Sequence, residues 1–305
     1  MRFLAIGECM AELAPAQATG QYSLGFAGDT FNTAWYLARL RSDLDVAYFT
    51  ALGDDTLSRQ MRAFFVASGI DDRHVTRVPG RTVGLYLISL TKGERSFSYW
   101  RGQSAARAMM QSPAALETAI ADADVVYVSG ITLAILDPPS RDTLLNTLKA
   151  ARSAGKTIAF DPNLRPRLWA DPAEMTATIM QGAAVCDVAL PSFEDEAQWF
   201  GDADPEATAA RYADAGARTV IVKNGPDPVH CLHAATHQTF AVPPLSSVVD
   251  TTAAGDSFNA AILAGLADGA ALADSIAHAC RVAGKVVQGK GALVEVDPAA
   301  LTRLA

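Results

Sequence analysis

Short apolar runs alternate with amphipathic segments along most of this chain. FLAI, VAYFT, DVVYVSG, TIAF, VCDVAL and TVIVK read as buried strands, each a brief and nearly unbroken apolar run. Between them, DTFNTAWYLARL, TLSRQMRAFFVASG, PPSRDTLLNTLKAARSAG and EATAARYADAG space their apolar residues as helices do, and several end in the Gly that closes a helix. Strands and helices in alternation predict an α/β fold, with a mostly parallel central sheet flanked by helices. One stretch breaks the pattern. RTVGLYLISLTKGERSFSYWR, residues 81–101, is β-rich on both sides of KGE and predicts a hairpin. Its Tyr86, Phe97, Tyr99 and Trp100 exceed what a solvated hairpin needs, so the hairpin is expected to close over something.

Composition narrows the function. A chain of 305 residues, 50% hydrophobic, can bury a large core, and no long repeat or low-complexity linker divides it. The formal net charge of -8 argues against nonspecific binding to DNA or acidic membranes, and nucleic acid is not an expected partner. Cys9, Cys186, Cys231 and Cys280 form no C-x-x-C pair, which suits a reducing compartment and makes a cytoplasmic location the default. The first apolar run is broken by Glu8 and Glu12, too early for a signal segment or a bilayer span.

The most informative stretch is DTTAAGDSFN, residues 250–259. Small residues Ala253, Ala254 and Gly255 let a backbone approach a ligand closely, and the helical spacing of GDSFNAAILAGL places helix-start N–H groups beside them, after SSVVD ends a strand. That is an anion hole suited to a phosphoryl group. Asp256 beside it either takes a proton from an attacking hydroxyl or merely caps the helix; spacing alone leaves both open.

DTTAAGDSFNA resembles the C-terminal signature of the ribokinase-like (PfkB) carbohydrate kinases, with Ala253 where Gly is common. FAGDTFNTAWYLARL resembles the family's sugar-binding segment, TALGDDTLSRQM its following Gly-Asp helix, FDPNLRPRLW its mid-chain substrate loop and IVKNG its nucleotide strand, in family order across nearly the whole chain. GECMAEL, GLYLIS, ERSFSYWR, SGITLAIL and DPNLRPRLW together most resemble the members that phosphorylate 2-keto-3-deoxygluconate. The resemblance implies a single ribokinase-like, Rossmann-like domain over residues 1–305, with a small β-sheet lid from about 9–27 and 81–101. It implies ATP as phosphoryl donor, magnesium, and a sugar acid as acceptor. Asp256 is implied to be the base, and Thr252, Ala253, Ala254 and Gly255 the anion hole. Asp250 and Thr252 fall where family members often hold a monovalent cation such as potassium.

The substrate residues so implied are Gly28, Asp29, Asn32, Tyr86, Tyr99, Arg101 and Arg165. A planar guanidinium binds a carboxylate bidentately, which a neutral hexose would not require. Arg101 and Arg165 could equally make structural ion pairs. Lys223, Asn224 and Gly225 match the strand end that contacts nucleotide in relatives, while Cys280 falls on the helix expected to border adenine. Many relatives carry Asn-x-x-Glu to organise magnesium through water; PSFEDEAQWFG offers Ser192, Glu194, Asp195 and Glu196 instead, with Asp195 and Glu196 the candidate magnesium residues. An exposed aromatic lid face would suit a homo-oligomer, a dimer or higher. Kinases of neutral sugars and a sugar-binding module without turnover remain the alternatives. The AGKT stretch lacks the leading Gly of a P-loop, and His230, Cys231, His233 and His237 lack zinc spacing.

Overall fold

The computed structural model describes residues 1–16, 18, 20–91 and 94–296. From edge to edge, the larger sheet runs Thr236–Phe240, Val229–His233, Thr219–Val222, Val188–Ala189, Thr157–Asp161, Val125–Ser129, Arg2–Ile6, Asp45–Leu52 and Val75–Arg77. Neighbours pair in parallel except at the Val229–His233 strand, which runs against both of its partners. Side chains alternate between two cores. Leu4, Ile6, Val126, Val128, Ile158 and Phe160 face one helical layer. Phe3, Ala5, Val125, Tyr127, Ala159 and Ile221 face the other. Burial on both faces is what makes parallel strands read as continuous apolar runs.

Aspartates start many of the helices. Asp55, Asp137, Asp171 and Asp204 each accept a hydrogen bond from the backbone N–H three residues on, satisfying a donor that the first turn leaves open. Helices Asp29–Leu40 and Ala254–Asp268 pack against one another on the Phe3 side of the sheet. Their adjacency brings residues more than 200 positions apart to the same end of the strands. No helix among the described residues is long and apolar enough to cross a membrane.

Two expected strands differ. In VCDVAL only Val188–Ala189 is a strand, because Val185 ends the helix Pro172–Val185 and Cys186 caps it. SSVVD is no strand at all: Val248 and Val249 are exposed, and the N–H groups of Val249 and Asp250 donate to the Val287 carbonyl at a helix end. Their β-branched pattern belongs to an uncovered connection that finds its backbone partner in a helix terminus instead of a neighbouring strand.

A second sheet orders Tyr22–Ala27, Met10–Pro15, Gly84–Thr91 and Glu94–Trp100. The last two strands form the expected hairpin, though Lys92 and Gly93 of its KGE turn lie outside the described residues. Register puts Glu12, Tyr86 and Tyr99 in one row. On that inner face Met10, Tyr86 and Ile88 pack with Ala253, Ala292 and Leu293, so the small sheet rests against the DTTAAGD loop. The outer face leaves Tyr22, Leu24 and Trp100 exposed.

Candidate active site

The helix Ala254–Asp268 begins on an unusual residue. Ala253 holds the cap position in the left-handed region, at φ 59°, which costs a residue with a Cβ about 1–2 kcal/mol relative to glycine. The strained turn is held from below: Asp250 Oδ1 accepts from Thr252 N at 3.1 Å and Thr252 Oγ1 at 2.7 Å, and its Oδ2 accepts from Gly291 N at 2.7 Å. The first helical turn therefore presents N–H groups without helical partners, a partial positive charge aimed at the cleft. Lys223 Nζ lies 3.5 Å from where a Cβ on Gly255 would sit. Residue 255 and the ammonium are thus close neighbours at the helix start.

Asp256 is not the cap but part of the first turn, half-buried at the foot of the cleft. Asn32 Nδ2 donates to its Oδ2 at 2.8 Å, and Asn32 Oδ1 in turn accepts from Gly28 N at 3.2 Å. Thr33 Oγ1 donates to the Asp256 carbonyl at 3.2 Å. These bonds fix the carboxylate against helix Asp29–Leu40. Gly28 permits the approach of that helix, since a Cβ there would fall 2.1 Å from the Glu8 carbonyl oxygen. Desolvation first, then the Asp29 and Asp161 carboxylates, push the Asp256 pKa up to about 8, against the opposing pull of the Asn32 bond and Lys223. Asp29 is itself raised by burial and accepts from Asn163 Nδ2 at 2.9 Å.

Lys223 belongs to a tight polar cluster. Its Nζ donates to Asp161 Oδ2 at 3.1 Å and Asn259 Oδ1 at 3.2 Å. Asn259 Nδ2 donates to the same Asp161 oxygen at 2.6 Å and to Tyr127 OH at 3.0 Å. The lysine is thus held beside the anion hole and is not a solvated strand-end cation. Asn224 is half-buried in the turn that follows it, and Gly225 is exposed there with φ 58°. Cys280 corrects the expectation: it is 6% exposed within the apolar core, so its sulfur offers almost no surface to a nucleotide.

On the inner face of the small sheet, Tyr86 donates its hydroxyl to Glu12 Oε2 and packs against Tyr99, ring centroids 5.9 Å apart and planes tilted by 38°. Tyr99 is half exposed to the cleft. Arg101 is paired with Glu8. Arg165 is half exposed, with Nη1 donating to the Leu164 carbonyl at 2.7 Å and lying 3.7 Å from Asp195. Asp195 is raised by burial and by Asp161, while Arg165 and Lys223 oppose the shift. Glu196 is a second correction. It is fully buried on the other side of helix Phe193–Phe200, accepting from Arg211 Nη2 at 2.7 Å and Tyr212 OH at 3.0 Å. A residue one position on in a helix points about 100° away, so Asp195 and Glu196 cannot share a metal.

Sequence reading missed Asp161, Asn163, Asn259 and Glu12. Asn259 carried a signal, a polar residue one turn after Asp256 on an otherwise apolar helix. Asp161 and Asn163 sat inside DPNLRPRLW, but their partners Lys223 and Asp29 are distant in sequence and only the sheet brings them together. An aspartate of high proton affinity, a helix start and a positioned lysine can deprotonate a hydroxyl beside a bound anion, which is the requirement of phosphoryl transfer.

Comparison with known proteins agrees. A family model described as pfkB family carbohydrate kinase matches residues 2–298. The 2-dehydro-3-deoxygluconokinase of Dickeya dadantii (strain 3937) is 38% identical over 302 residues, 96% of each chain. A PfkB protein from Polaromonas sp. JS666 superposes with a TM-score of 0.86 at 28% identity, covering 99% of both chains. Aminoimidazole riboside kinase from Salmonella enterica, solved with aminoimidazole riboside and an ATP analog, gives 0.83 at 26% identity over 99% of this chain and 98% of that one. Sequence, fold and the disposition of Asp256 converge, and this chain belongs to the pfkB family of carbohydrate kinases.

Proposed function

We propose that the chain transfers the γ-phosphoryl group of ATP to the primary hydroxyl of 2-keto-3-deoxygluconate, giving the 6-phosphate. The observation that carries this reading is the meeting of two surfaces. Asp256 lies at the anion hole, and Arg101 lies on the inner face of the sheet that packs against that loop. The curated relative named above carries the same activity in its name. Arg101 and Arg165 hold the carboxylate; Gly28, Asp29, Asn32, Tyr86 and Tyr99 line the rest of the sugar. Asp256 accepts the hydroxyl proton as the oxygen attacks. The N–H groups around Ala253, Ala254 and Gly255, with Lys223, stabilise the charge on the transferring group. Asn224 and Gly225 border the nucleotide.

Magnesium, brought by the nucleotide phosphates, would neutralise charge at the transferring group. Asp195, a half-buried carboxylate facing Asp161 and Lys223, fits a hold on it through water. Asp250 and Thr252, bonded to each other beneath the anion hole, would hold a monovalent cation. Closure of the small sheet over the sugar would exclude water from the transfer.

The test is ADP release with Mg-ATP against 2-keto-3-deoxygluconate, its galactonate epimer, gluconate, fructose and ribose. Turnover confined to the keto-deoxy acids is expected; turnover on fructose or ribose alone would overturn the reading of Arg101. A pH profile gives a second check. A base works only when deprotonated, so kcat/KM should rise with pH and level off above about 8, the value toward which burial pushes Asp256. A flat profile between about pH 6 and about pH 9 would contradict the assignment.

The outer face of the small sheet leads us to propose a homodimer. Leu24, 48% exposed, and Trp100, 59% exposed, share that face with Tyr22, an apolar surface that a second copy would cover. Light scattering should show a dimer that Leu24→Glu with Trp100→Glu converts to monomer; a monomeric wild type would sink the proposal.

A further inference from the structure

Glu8 follows the strand Arg2–Ile6 and lies where the small sheet joins the large one. It is 2% exposed, and a carboxylate so covered is costly unless paired. Its partner is Arg101, whose Nε donates to Glu8 Oε2 at 2.8 Å while Nη2 donates to the same oxygen. Glu8 Oε1 is buried without a partner among the described residues. Arg101 lies two residues beyond Tyr99 and so continues its row on the inner face, with a side chain only 10% exposed.

A guanidinium carries five N–H donors in one plane. Glu8 takes the edge formed by Nε and Nη2, which leaves the edge formed by Nη1 and the second Nη2 hydrogen for another planar acceptor. Residue 84 makes room for this arrangement. A Cβ on Gly84 would stand 2.7 Å from Glu8 Oε1 and 3.2 Å from Arg101 Cβ. We propose that Glu8 is a positioning residue: it orders Arg101 before substrate arrives and fixes which edge meets the carboxylate of the sugar acid. This rests on the reading of Arg101 as carboxylate anchor. An arginine already ordered loses less side-chain entropy on binding than a free one.

Steady-state kinetics on 2-keto-3-deoxygluconate with Glu8→Gln, Gly84→Ala, Arg101→Ala and the Glu8→Gln/Arg101→Ala double variant test the proposal. Glu8→Gln should raise the KM for the sugar acid about tenfold while kcat and the KM for ATP stay within about twofold. Gly84→Ala keeps the charge of Glu8 but displaces the pair, and should move KM in the same direction with a melting temperature near wild type. The double variant should be no worse than Arg101→Ala alone, because both changes act through one guanidinium. If Arg101→Ala raises KM while Glu8→Gln and Gly84→Ala do not, the role of Glu8 is overturned and that of Arg101 stands. Additive effects in the double variant would also overturn it. If Arg101→Ala leaves KM unchanged, the underlying assignment of the carboxylate anchor falls as well. Should Glu8→Gln fail to fold, Gly84→Ala decides alone.

Discussion

Replacing Asp256 by Asn should lower kcat by about three orders of magnitude while the KM for ATP stays within about threefold, since general-base catalysis contributes on the order of 10²–10⁴. The substitution preserves the shape that Asn32 and Thr33 pack against and removes only the ability to take a proton. A loss below about tenfold would remove Asp256 from the base role. The same variant should be more stable than the wild type in alkaline solution. Folding raises the affinity of Asp256 for a proton from the ordinary 3.8 to about 8. The stability it contributes is therefore fully present below 3.8 and is lost as pH rises through about 8. Asn cannot ionise, so the melting temperature of Asp256→Asn should exceed that of the wild type by a margin that widens from about pH 5 to about pH 9. Stability gained where activity is lost is the expected signature of a carboxylate kept for chemistry.

The second large effect is expected at Arg101. Arg101→Ala should raise the KM for 2-keto-3-deoxygluconate by about 10- to 100-fold, the worth of a bidentate charge-assisted contact, with little change in kcat. Arg101→Lys should recover only part of the loss, because an ammonium restores charge but not the planar fork. Measured in parallel, any residual turnover of a neutral sugar should be unaffected by Arg101→Ala. Equal losses on acid and neutral sugars would show that the arginine supports the sheet and not the carboxylate.

The sequence showed much of the architecture because parallel strands buried on both faces leave continuous apolar runs and because aspartates and glycines mark helix ends. It failed at SSVVD, where β-branched residues occupy an exposed connection, since strand propensity cannot report whether a partner strand exists. The loop around Asp256 was legible for the opposite reason: small residues and an acid at a helix start have few other uses. Local pattern could not settle the roles of neighbouring acids. Asp195 and Glu196 are adjacent in the chain, yet one faces Lys223 and the other is locked to Arg211 and Tyr212. Nor could it show that Asp161, Lys223, Asn259 and Tyr127 form one network, because their contacts span as many as 132 positions.

The most direct test of the central claim is the identity of the product. Wild-type protein incubated with Mg-ATP and 2-keto-3-deoxygluconate should yield, by phosphorus NMR, a phosphomonoester coupled to the two protons of C6, with ADP formed in equal amount, and both signals should grow far more slowly with Asp256→Asn. ADP appearing without that ester, or an ester formed only on a neutral sugar, would contradict it.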